Sequence, residues 1–207
     1  MKFQLRHTPA PPVDLSTYRE LNAWRAILYR LRLIGQEADR YEGYGFGNIS
    51  QRLPPFEAAP NRRCFLITGT QTGGLPELHA EHYAIVRECR PEHNLIVSEG
   101  PIKPSAESLT HGSVYALDDS ARCVMHAHSP DIWQRRGQLG IPSTGDDVPY
   151  GTPEMAAEVA RLFAQSDVAS RRIFCMGGHE DGVVSFGRTV EEAGAVLVAW
   201  LGRALAT

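Results

Sequence analysis

The stretch Arg63-Cys-Phe-Leu-Ile-Thr68 has the composition of a β-strand but no polar face, so protein must cover it on both sides. A chain with such a strand needs a layered structure with the sheet inside. Tyr83 to Cys89 and Leu95 to Ser98 read as two more strands, separated only by Arg90-Pro91-Glu92-His93. That spacing allows an antiparallel hairpin. Further strands are expected at Cys123 to Ser129, Ile173 to Met176 and Val183 to Phe186, and a short one after the glycine-rich turn in Tyr41 to Arg52.

Helices are expected between them. Asp14 or Ser16 can cap a long helix carrying Leu21, Trp24, Leu28, Leu31 and Ile34 at helical spacing, ending near Gly35 to Ala38. Ser105 is placed to cap a helix to Leu117, and Ser129 or Pro130 to start one through Leu139. Thr152-Pro153-Glu154 opens a helix to Gln165, and Thr189-Val-Glu-Glu192 forms a capping box for a last helix to Leu205. Gly69 to Gly74 reads as a flexible loop. No repeat or long linker divides the chain, so residues 1–207 are expected to be a single α/β domain with 1–13, rich in proline, as a loose leader.

With 207 residues, folding removes roughly 70% of the unfolded chain's surface from water, enough for a core without disulfides or a structural metal. The net charge of −3 argues against nucleic-acid and anionic-membrane partners, which require a basic surface. The longest apolar run, Ala193 to Gly202, is about half a membrane span and has charged flanks. Cys64, Cys89, Cys123 and Cys175 form no Cys-x-x-Cys pair and read as buried thiols in a reducing compartment. The first nine residues lack a signal-peptide core, and a cytoplasmic location is expected. The lysines are Lys2 and Lys103, so Schiff-base chemistry would fall to Lys103.

His126-Ala-His128 is the strongest chemical signal. In a strand, residues i and i+2 share a face, so two imidazoles would stand side by side and could grip one divalent cation, while Met125 and Ala127 point to a core. Just upstream, Glu107 and His111 lie four apart on one expected helical face. A third imidazole, His179, sits in the turn Gly177-Gly-His-Glu-Asp-Gly182, where glycines permit close backbone approach. Together these give the nitrogen-rich set of a catalytic zinc site with room for water or substrate. Gly43-Tyr-Gly-Phe-Gly47 is no dinucleotide fingerprint, because its spacing is wrong and no βαβ unit surrounds it.

From Leu21 to Leu205 the chain resembles the class II aldolase/adducin family. The resemblance is carried, in order, by Gly47-Asn-Ile-Ser50, Thr72-Gly73, Pro104-Ser-Ala-Glu107, His126-Ala-His-Ser129, the glycine-rich turn with His179 and the helix after Thr189. It implies a three-layer α/β/α fold around a central, mainly antiparallel sheet, and a homotetramer. It implies that His126, His128 and His179 hold zinc or another divalent ion, with Glu107 as the metal-adjacent carboxylate that moves a proton at the carbon next to a carbonyl. Gly47, Asn48, Thr72, Gly73 and Ser105 match positions that cradle substrate phosphate. The implied function is a metal-dependent lyase of carbohydrate metabolism, reversibly cleaving a small hydroxy-carbonyl compound, phosphorylated or not, through a metal-stabilised enediolate. The alternatives within this fold are a dehydratase, epimerase or decarboxylase, or a non-catalytic adducin-like binding protein.

Three departures from the family pattern stand out. Ala106 takes the place of a second phosphate-binding serine. Between Ile141 and Gly151 the chain is shorter than in the aldolases, leaving Tyr150 as the candidate for their catalytic tyrosine. Glu180 and Asp181 follow His179 where relatives have glycine; either they act beside the metal or they face solvent.

Overall fold

The computed structural model describes residues 3–207. The chain runs β1 (Gln4–Pro9), α1 (Arg19–Arg30), β2 (Gly35–Gln36), β3 (Gly45–Phe46), β4 (Asn48–Arg52), β5 (Phe65–Thr68), β6 (Tyr83–Arg90) and β7 (Leu95–Gly100). It continues through α2 (Ser108–Leu117), β8 (Cys123–His128), α3 (Pro130–Gln134), α4 (Pro153–Gln165), α5 (Val168–Arg171), β9 (Ile173–Cys175), β10 (Gly182–Gly187) and α6 (Val190–Leu205). Eight strands form one sheet in the order β1-β7-β6-β5-β4-β8-β10-β9. The β1–β7 pair is parallel and the other pairs are antiparallel.

The doubly covered strand is central, as its apolar run requires. On β5, Leu66 joins a core with Leu21 and Leu28 of α1, Ile132 of α3 and Leu197 of α6. Phe65 and Ile67 join a second core with Val114 and Tyr115 of α2 and Met155 and Val159 of α4. The same alternation runs through β8, where Met125 and Ala127 enter the first core and Val124 the second. The fold is therefore three layers, α/β/α, around a mainly antiparallel sheet. Thr152 caps α4 through the Met155 amide and Thr189 caps α6 through the Glu192 amide; the Glu192 carboxylate turns back to the Arg188 amide, one residue before the cap.

Several sequence expectations need correction. Over Gln4–Pro9 the leader is not loose: it is an edge strand paired with β7, and Met1 and Lys2 lie outside the described residues. The first helix stops at Arg30 because Arg32 turns left-handed at φ 58°, and the Leu33 amide bonds back to Leu28. Leu31 is consequently exposed, and Ile34 is buried from the bend that precedes β2. Asp14 caps the short 3-10 turn that precedes α1. α2 begins at Ser108, with Ser105 one turn earlier accepting from the Glu107 amide. α3 ends at Gln134, five residues before the expected Leu139. Cys89, Cys123 and Cys175 are buried, whereas Cys64 is only partly so.

Candidate metal centre and cavity

β8 delivers two of the candidate ligands. In the sheet register His126 lies opposite Asn48 of β4, and His128 opposite Gly182 of β10. Because Met125 and Ala127 are drawn into the apolar core beneath α1, the two imidazoles project from the other face. His179 arrives from the β9–β10 turn, whose shape is fixed by backbone bonds from the His179 amide to Met176 (3.2 Å) and from the Gly182 amide to His179 (2.8 Å). Glycine at 182 leaves room for the ring, since a Cβ there would lie 2.8 Å from His179 Cδ2 and would displace it.

The three rings converge as the sequence suggested. One ligand atom from each of His126, His128 and His179 lies within 4.8 Å of the others, and His128 Nε2 is 3.1 Å from His179 Nε2. Two nitrogens bound about 2.05 Å from a tetrahedral ion are separated by about 3.3 Å, so this pair fits a divalent ion in spacing and in donor type. Burial, reinforced by His179, holds His128 well below the usual imidazole range, and burial followed by the His128 and His179 charges does the same for His126. Both rings are therefore neutral at pH 7, the state in which imidazole offers a lone pair to a metal.

Glu107 stands beside this cluster, outside the 4.8 Å set. Its Oε1 is 3.7 Å from His179 Nε2, and its Oε2 accepts a 3.0 Å bond from the Thr110 hydroxyl. One oxygen is thus tethered and the other faces the imidazoles. The Tyr150 ring lies 4.3 Å from the His179 ring, and burial, then the Glu107 charge, raises its phenol pKa. His111, expected to point with Glu107, does not. It is fully buried, with Nδ1 2.7 Å from the Ser50 hydroxyl, which in turn is 2.7 Å from Tyr115 Oη.

A cavity of about 700 Å³ opens over these groups, and Gly47, Asn48, Thr72, Gly73 and Ser105 line it together with Glu107, Tyr150 and the three histidines. The structure thus brings every candidate site residue to one wall system. Among the described residues Asn48 Oδ1 is buried without a partner, leaving a polar group that a ligand can satisfy. The loop Gly69 to Gly74 is tied rather than flexible, with Arg25 donating to the Thr72 and Gly73 carbonyls at 2.9 Å. Gly73 fits because a Cβ there would lie 2.5 Å from the Phe46 carbonyl oxygen. Ala106 lines the cavity in the expected place of a hydroxyl. Lys103 is exposed and is not among the lining residues.

Sequence reasoning missed a polar cluster behind His128. Glu180 is exposed, but Asp181 is 5% exposed and accepts from Tyr41 Oη at 2.5 Å and Arg40 Nη2 at 3.2 Å. The Tyr41 ring packs edge-on against His128 at 4.4 Å. Tyr41 and Glu42 hold left-handed backbone, at φ 49° and 58°, a costly conformation for such residues. The only sequence signal was the pair of acids after His179.

Two buried histidines and a partly buried third, with an adjacent carboxylate, stand together on one face of the sheet of an α/β/α sandwich, a donor set suited to a divalent ion. The Class II Aldolase and Adducin N-terminal domain family matches residues 32–201, and the chain belongs to that family. No curated protein sequence matches it. Among solved structures, L-fuculose-1-phosphate aldolase from Thermus thermophilus is 21% identical with a TM-score of 0.63, covering 91% of both chains. A sugar-phosphate aldolase from Thermotoga maritima is 17% identical with a TM-score of 0.64, covering 92% of this chain and 93% of its own. YgbL from Escherichia coli is 20% identical with a TM-score of 0.65, covering 92% and 87%. At these identities the likeness is one of fold. Among the described residues no helix is long and apolar enough to cross a membrane.

Proposed function

We propose that the protein is a divalent-metal-dependent lyase that reversibly cleaves a small hydroxy-carbonyl substrate bearing an anionic end, such as a sugar phosphate. The observation that carries this reading is the meeting of three imidazoles within 4.8 Å with the Glu107 carboxylate 3.7 Å from His179 Nε2. His126, His128 and His179 would hold the ion. When bound, it would supply Lewis-acid polarisation of the substrate's carbonyl and hydroxyl oxygens.

Glu107 moves the proton at the carbon next to the carbonyl. Its Oε2 accepts from Thr110 and its Oε1 is 3.7 Å from His179 Nε2; the carboxylate accepts that proton in the condensation direction and returns it in cleavage. Tyr150 stands across the cavity beside His179, and its phenol, raised by burial, gives its proton to the aldehyde oxygen as the carbon–carbon bond forms. Gly47, Asn48, Thr72, Gly73 and Ser105 hold the phosphate end with backbone and side-chain donors. Zinc as the ion, a homotetramer, a cytoplasmic location, a role in carbohydrate metabolism and one domain over the whole chain are finer parts of the same proposal, supported by family membership.

The test is carbon-bound proton exchange. In deuterated buffer with a panel of ketose phosphates, the protein is expected to exchange the proton next to the carbonyl, and Glu107→Gln is expected to lose exchange while keeping its metal. Unchanged exchange in that variant refutes the assigned base. NMR of the products separates aldol cleavage from epimerisation, dehydration and decarboxylation.

A further inference from the structure

One face of α1 is devoted to a single loop. Asn22, Arg25 and Tyr29 follow helical spacing, and each donates to a carbonyl of residues 72–78: Asn22 Nδ2 to Leu78 (3.1 Å), Arg25 to Thr72, Gly73 and Pro76 (2.9, 2.9 and 3.1 Å), and Tyr29 Oη to Gly74 (3.4 Å). Arg25 is 2% exposed. Among the described residues no carboxylate forms an ion pair with it. The Tyr29 ring lies 4.9 Å from the guanidinium carbon, and the Tyr83 phenol is also close enough to interact with it. A guanidinium remains a cation even when buried, and a buried charge without a counter-charge is costly.

The other side of the same peptides explains where that counter-charge comes from. In a trans peptide the C=O and N–H point in opposite directions. Turning the Thr72 and Gly73 carbonyls toward Arg25 therefore turns the Gly73 and Gly74 amides away from it. Both amides are without a hydrogen-bond partner among the described residues. Their nitrogens lie side by side, 3.3 and 3.2 Å from where a Cβ on Gly45 would stand, and Gly45 and Gly73 both line the cavity. Two adjacent unused amides form an anion-binding concavity.

We propose that Arg25 is a positioning residue for the substrate's anionic end, aligning the Gly73 and Gly74 amides and holding an unneutralised positive charge behind them that a bound phosphate completes. This rests on the anion subsite of the function proposed above. It also accounts for Ala106, because amides backed by a cation compensate for a missing hydroxyl.

The experiment is calorimetric titration of the folded protein with inorganic phosphate. Arg25→Met is expected to weaken binding about tenfold or more while the bound divalent ion per chain stays unchanged. Arg25→Lys and Arg25→Gln separate charge from scaffolding. Lysine keeps the charge and is expected to retain much of the affinity. Glutamine keeps donors for the loop carbonyls without charge and is expected to lose affinity as methionine does. If Arg25→Met does not fold, the Lys and Gln pair carries the test. Equal affinity in the Gln and Lys variants, or undiminished binding by Arg25→Met, overturns the inference and leaves the proposed lyase standing. Absence of phosphate binding by the unsubstituted protein overturns the inference together with the anion subsite, while exchange dependent on Glu107 would still stand.

Discussion

Replacing Gly182 with alanine would test how tightly the proposed metal centre is held, because the substitution acts on a proposed ligand without removing it. The new Cβ would meet His179 Cδ2 at 2.8 Å and His179 O at 2.9 Å, against about 3.5 Å for ordinary carbon contact. The carbonyl cannot retreat cheaply, since it accepts the Gly182 amide at 2.8 Å. The ring must therefore shift by about 0.7 Å, among neighbours that already flank it: the Tyr150 ring at 4.3 Å and the His126 ring at 5.2 Å. Metal–ligand distances tolerate only about 0.2 Å. Gly182→Ala is accordingly expected to weaken divalent-ion affinity about 10–100-fold, with an overpacking cost of about 1–3 kcal/mol in stability. Chelator competition reads the affinity, and urea unfolding of the metal-free protein reads the stability. Wild-type affinity in a folded variant would refute the argument that this turn fixes the His179 ring.

Two further predictions concern the groups behind the centre. Tyr41→Phe keeps the ring against His128 but leaves Asp181 with Arg40 alone, and is expected to cost about 1–3 kcal/mol by urea unfolding; an unchanged midpoint would show that the short Tyr41–Asp181 bond contributes nothing. Burial pushes His111 down to about 3 from 6.5, so between those values the unfolded chain takes a proton the folded one refuses. Its contribution is full above pH 6.5 and falls as pH drops toward 3, by about 1.4 kcal/mol per unit. His111→Gln should have a stability profile shallower by about one proton over roughly pH 6 to 4, and an identical slope would contradict the assignment.

Features set by local chemistry were legible in the sequence. The alternation of Met125 and Ala127 with His126 and His128 oriented β8, and Thr152 and Thr189 marked two helix starts, because capping and strand periodicity depend on residues close in the chain. Features that depend on distant partners were not legible. Gln4–Pro9 is polar enough to read as a leader and becomes a strand only by pairing with β7. Arg25 stands four residues after Leu21 and three before Leu28, on the buried face of α1, but its partners, the carbonyls of residues 72–76, lie about fifty residues away in the chain. The left-handed turn at Arg32 has no glycine or asparagine to announce it, so the apolar periodicity runs past the true end of α1. At the site, residue types and family motifs pointed to the three imidazoles that the fold brings together. The Arg40–Tyr41–Asp181 support spans more than a hundred residues of sequence and left only an unexplained pair of acids.

The most direct test of the central claim, that three imidazoles from two separate segments share one ion, is metal content after loading with a divalent ion and desalting. The account predicts about one ion per chain in the unsubstituted protein and in Glu107→Gln, and near-complete loss in each of His126→Ala, His128→Ala and His179→Ala. Retention of full metal content after removal of any one of the three rings, or no bound ion in the unsubstituted protein, would contradict it.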